Sequence, residues 1–109
     1  MTATFQISQQ NGIYTFNLFG SNGEQMLIGG EFENREEAEK AIQDVRVGSL
    51  MSQQIAAGKV ASGETFFVIK DSGGQIIAKS LLYDNQMLFD AALHTVKDNA
   101  CVAEIREAS

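Results

Sequence analysis

Two spacings of apolar residues alternate along the chain. Phe5 and Ile7 stand two apart, which predicts a short strand over Thr4 to Ser8 with one apolar face. Asn11-Gly12 follows, a pair suited to a hairpin turn whose central residues both need positive φ. From Ile13 to Phe19 the alternation resumes. Tyr14, Phe16 and Leu18 share one face, and Ile13, Thr15, Asn17 and Phe19 the other. Gly20 to Gly23 reads as a second turn and Glu24 to Ile28 as a third strand. The period then changes. Ala38, Ala41, Ile42 and Val45 lie at helical spacing, with Asn34 as N-cap, Glu37 completing a capping box and Gly48 as a stop.

This order recurs. With a shift of 51 residues, Gly12 falls on Gly63, Phe16 on Phe67, Gly23 on Gly74, Asn34 on Asn85, Ala41 on Ala92 and Val45 on Val96, without a gap. The second copy predicts strands at Thr65 to Lys70 and Gln75 to Lys79. A helix capped by Asp84 or Asn85 follows, with Phe89, Ala92, Leu93 and Val96 as its stripe. Ser52 to Ala61 bridges the copies, with a strand expected in its second half. Val102 to Ile105 reads as a last strand begun by Cys101, and Arg106 to Ser109 as a frayed tail. Each unit is too small to bury its apolar surface well, so the two share one core within a single domain, 1–109. The repeats span about 3–52 and 53–107.

The motif residues resemble the YegP-like family of small tandem-repeat proteins. They are Asn11 to Leu18, Asn22 to Glu24 and Phe32 in the first copy, and Gly63 to Ile69, Gly73 to Gln75 and Tyr83 in the second. The helix ends Ile42 to Arg46 and Leu93 to Lys97 also fit. Gly29-Gly30 and Ser80-Leu81 depart from the family's usual Ser-Glu. The resemblance implies an α+β fold of two tandem β-β-β-α-β repeats. These form one antiparallel sheet with two helices on one face, the C-terminal strands being exchanged. It implies no activity, cofactor or catalytic residue.

Charge and composition narrow the function. The net charge of −6 offers no broad attraction to nucleic acid or an anionic membrane, and neither is expected as a partner. One cysteine rules out an internal disulfide and fits the cytoplasm. No segment from Met1 to Gln10 reads as a signal peptide. Cys101 reads as a small apolar residue rather than a nucleophile. Glu31, Glu33, Glu36, Glu37 and Glu39 read as a solvated helix start rather than a cation site. No metal or cofactor is expected. His94, with Asp90 one turn before and Asp98 one turn after, reads as a solvated helix residue. The alternative is a small enzyme in which Asp90 orients His94 as a general base.

The leading expectation is a non-enzymatic binding or protein-interaction module. If Phe16 and Phe67 face the helices, alternation sends Thr15, Asn17, Phe19, Phe66 and Val68 to the open sheet face. Phe19, Phe66 and Val68 would then form an apolar patch, for a weak homodimer or another protein.

Overall fold

The computed structural model describes residues 3–107. Seven strands and two α-helices follow in the order β1 (Thr4–Gln10), β2 (Ile13–Phe19), β3 (Gln25–Gly29), α1 (Arg35–Gly48), β4 (Ile55–Lys59), β5 (Thr65–Lys70), β6 (Ile76–Ser80), α2 (Gln86–Ala100) and β7 (Glu104–Glu107). The strands form one sheet in the order β4-β5-β6-β3-β2-β1-β7. Five junctions are antiparallel. The sixth, β1 with β7, is parallel, so the sheet is mixed rather than wholly antiparallel as expected. The reason is connectivity: α2 carries the chain back across the sheet before β7 begins.

Local chemistry explains the elements. Asn11 and Gly12 take φ of 54° and 80°, the paired positive values a two-residue hairpin demands. Asn34 accepts from the Glu37 N–H at 2.9 Å, and Asn85 from the Leu88 N–H at 2.8 Å, so each helix has a side-chain cap. Glu37 closes its box on the N–H of Glu33 rather than of Asn34. Just before each helix an aromatic is pinned to the sheet: Phe32 bridges to Tyr14, and Tyr83 to Thr65.

One core joins the helices to the sheet. Phe5, Phe16, Leu18, Phe67 and Ile69 are fully buried with Ile42 and Val45 of α1, against Phe89 and Val96 of α2. Phe16 meets Phe5 edge-on at 6.0 Å, and Phe67 meets Phe89 edge-on at 5.6 Å. Each half also carries a β-bulge. Leu18 faces Leu27 while Phe19 faces Gln25, leaving Met26 extra, and Ile69 faces Ala78 while Lys70 faces Ile76, leaving Ile77 extra. The bulges turn Met26 and Ile77 into the core beside Leu27 and Ala78, where alternation alone would send them outward.

Three expectations near the chain's joins change. Ser52–Gln54 is a single 3-10 turn and Ile55–Lys59 the strand, in a register one residue earlier against β5 than β1 has against β2. The five-residue link Val60–Glu64 replaces the two-residue turn and absorbs the shift. Cys101 does not start the last strand; it is the exposed C-cap of α2. Arg106 and Glu107 belong to β7 rather than to a frayed tail, because they pair beside Gln6 and Ile7 of β1; Ala108 and Ser109 lie outside the described residues. β7 is further fixed by α1. Arg46 donates to the Ala103 carbonyl at 2.6 Å with its guanidinium over Phe5, and Arg35 pairs with Glu107. Among the described residues no helix is long and apolar enough to cross a membrane.

Candidate functional site

The expected sheet-face patch does not come together. Thr15, Asn17 and Phe19 lie on β2 and Phe66 and Val68 on β5, with β3 and β6 between them. The two groups point to the open face, but they are not neighbours. Val68 is only 7% exposed, walled by Ala56 on one side and Lys79 on the other. Phe66 lies flat over Gly58, and the Lys79 ammonium sits 4.9 Å from its ring centroid. Asn17 accepts from the Gln25 amide at 2.7 Å. The β1–β2 half of this face thus mixes polar Thr15 and Asn17 with Ile13 and Phe19. Ile13 is exposed on β2, and Ile28 and Ile76 are exposed at the β3–β6 seam.

The acid–base alternative is not assembled either. His94 pairs with Asp98 at 3.1 Å, and both side chains are largely exposed. Asp90 instead accepts from Gln86 at 2.8 Å, one turn back on α2. Helical pitch places a carboxylate on each side of the ring, and here the ring turns to the later one. The acidic residues at the start of α1 are absorbed locally: Glu39 pairs with Arg35, and Glu37 accepts from the Glu33 N–H. Among the described residues no group of three or more His, Cys, Asp or Glu is placed to hold a metal.

Two grooves emerge instead, one beside each helix. The first, of about 430 Å³, has a floor of Phe32, Ala41 and Ile77 and a rim of Glu37, Asp44 and Asp71. Lys40 reaches across that rim to Asp44 at 3.1 Å. The second, of about 170 Å³, has a floor of Tyr83, Ala92 and Met26 and a rim of Leu88, Ala91 and Thr95. Its residues stand 51 positions from those of the first: Tyr83 from Phe32, Leu88 from Glu37, Ala92 from Ala41, Thr95 from Asp44. The helix wall of the site is charged beside α1 and uncharged beside α2, where Glu24 and Gln25 supply the polar side of the groove. Burial, and secondarily the charge of Glu24, raise the Tyr83 phenol above its ordinary pKa.

Around Leu88, at the start of α2, the chain exposes an apolar shoulder. Leu82 is 46% exposed, Met87 79% and Leu88 48%. Their counterparts in the first half are Glu31, Glu36 and Glu37. Periodicity did not find this surface, because a helix is judged by its buried stripe. Comparing the outward residues of the two halves would have found it.

The architecture is that of a small α+β domain, one mixed seven-stranded sheet covered by two helices. Its solved likenesses have the same form. The solution structure of yegP from E. coli, a protein of unknown function, superposes with a TM-score of 0.91 at 25% identity, covering 98% of this chain and 93% of that one. The UPF0339 protein SO3888 of Shewanella oneidensis shares the fold at TM-score 0.91 and 22% identity, covering 98% and 92%. In sequence, UPF0339 protein PA0329 of Pseudomonas aeruginosa is 30% identical over 98 residues, 89% of each chain. The family model described as Domain of unknown function (DUF1508) matches residues 61–107. The chain belongs to the UPF0339, or YegP-like, family.

Proposed function

We propose that this protein is a non-enzymatic protein-interaction module whose contact surface is the apolar shoulder of α2. The observation that carries the reading is the exposure of three large apolar side chains at the start of α2, Leu82, Met87 and Leu88, the last of which lines the groove beside that helix. Exposed apolar clusters of this kind mark contact sites. The matching positions beside α1 are acidic, so the fold itself does not require apolar residues there. The reading also takes the chain as a tandem duplication, with β7 lent by the second unit to the first. It is supported by bulges, caps, grooves and aromatic bridges recurring 51 residues apart. On this reading duplication freed one groove to keep its charges and the other to become a contact. The exposed, unpaired Cys101 suits the cytoplasm as its compartment.

The test is capture of partners on immobilised full-length protein, compared with the double variant Met87→Lys/Leu88→Lys and with Phe66→Lys. The α2 variant is expected to keep its fold, since Asn85 still caps the helix, and to lose the captured protein. Loss in Phe66→Lys alone would move the contact to the sheet face. Capture unaffected by either change would end the reading, as would a metabolite turned over by wild type but not by His94→Ala. Sedimentation across a concentration series tests the homodimer version separately, and a monomeric mass throughout would exclude it.

A further inference from the structure

The two outer edges of the sheet differ. β7 is four residues long, and Glu104, Arg106 and Glu107 charge it, which discourages further pairing. β4 has one charge, Lys59, at its end. It contains no proline and pairs with β5 without a bulge; among the described residues no strand pairs with its outer side.

The ladder shows which peptide groups point outward. Val60 donates to the Glu64 carbonyl at 2.9 Å. Hydrogen-bonded pairs alternate along an antiparallel ladder, so Gly58 and Ala56 bond to Phe66 and Val68. Ile55, Ala57 and Lys59 therefore direct their peptide groups to the free edge. The Ile55 N–H is already given to Ser52. The C=O of Ile55 and the N–H and C=O of Ala57 and Lys59 remain.

β1 shows what such an edge accepts. Ile55 faces Ile69 in β4–β5 as Phe5 faces Leu18 in β1–β2. The outer side of β1 carries β7 in parallel, with Ile105 beside Phe5 and Glu107 beside Ile7, and Glu104 donates to the Ala3 carbonyl at 3.0 Å. Between Gly48 and Ile55 there is no strand to do the same for β4. Charge adds to the match. β4, β5 and β6 contain Lys59, Lys70 and Lys79 and no acidic residue, in a chain of net charge −6.

We propose that the outer edge of β4 is a strand-addition site for an extended, acidic segment of another protein, running parallel to β4 as β7 runs to β1. The segment places an apolar side chain beside Ile55 on the helix side. An acidic side chain two residues on lies beside Ala57 and reaches towards Lys59. Main-chain bonds supply the affinity and the alternate side chains the choice of partner. A second copy pairing through its own β4 is disfavoured, because it brings together two chains of net charge −6.

The experiment is an amide NMR titration of the full chain with a synthetic peptide copying Ala103–Glu107. Shifts are expected at Ile55–Lys59, with slowed exchange of the Ala57 and Lys59 amides. Ala57→Pro removes an outward N–H and leaves the β4–β5 ladder whole, so it should fold and bind about two- to tenfold more weakly, the effect of one lost hydrogen bond. Lys59→Glu alters no backbone group and should also weaken binding; a peptide with Lys in place of its last Glu should bind this variant better than wild type. Shifts confined to β1 and β7, binding indifferent to both variants, or self-association through β4 without peptide binding would each overturn the proposal. The Met87→Lys/Leu88→Lys variant should bind the peptide normally, which separates this site from the α2 shoulder.

Discussion

Phe16 is held between Phe5, Phe32 and the backbone of Gly29. A Cβ at Gly29 would lie 2.3 Å from the Phe16 ring, whereas at Gly30 it would meet nothing within 4 Å. Gly29→Ala should therefore destabilise the protein by about 1–3 kcal/mol in urea unfolding, and Gly30→Ala should stay within about 0.5 kcal/mol. Phe16→Ala and Phe67→Ala should each cost about 3–5 kcal/mol, since both rings are fully buried. In the Phe16→Ala background the Gly29→Ala penalty should largely vanish, because the two changes act on the same space. The burial of Phe16 and Phe67 was legible, because a two-residue period sorts strand faces. The glycine beneath the ring was not, because it depends on the neighbouring strand's register. Nor was the burial of Val68, which comes from Ala56 and Lys79, residues of other strands.

Helix starts were the most legible elements, because their signals are local. Asn34 caps as its spacing implied, and of the two candidates Asp84 and Asn85 it is Asn85 that caps; changing Asn34 or Asn85 to Ala should cost about 1 kcal/mol in the same assay. A loss below about 0.3 kcal/mol at both would mean that water replaces the caps at no cost. The bulges were not legible. Gln25-Met26-Leu27 and Ile76-Ile77-Ala78 look like ordinary strand residues, and only pairing with β2 and β5 makes Met26 and Ile77 extra. The one-residue shift of β4 escaped for a related reason: the longer link Val60–Glu64 can set either register. Nothing in Val102 to Glu107 announced a parallel partner. Arg46 shows how that partner is kept. Its bond to Ala103 and its place over Phe5 span α1, β1 and the start of β7. Arg46→Ala should cost about 1–3 kcal/mol, and hydrogen exchange should show β7 opening before the rest of the sheet.

The two halves meet at β3 and β6, where Ile28 pairs with Lys79, its own counterpart 51 residues on, and Leu27 and Gly29 pair with Ser80 and Ala78. A chain ended at Ser52 would expose β3 as an edge and leave Phe5 and Ile7 without β7. It should be unfolded or dimeric, and a folded monomer by NMR would contradict this. The shared fold with yegP says that this joint is a property of the architecture. The pairing of β1 with β7 carries a mechanical consequence. The strands run side by side in the same direction, so tension applied at Thr4 and Glu107 pulls them in opposite senses along their length. Their hydrogen bonds are then loaded together in shear instead of being unzipped singly. Stretched between these points, the molecule should yield in one abrupt step at high force. Pulled at Thr4 and Lys59, which leaves β7 out of the line of tension, it should yield more gently.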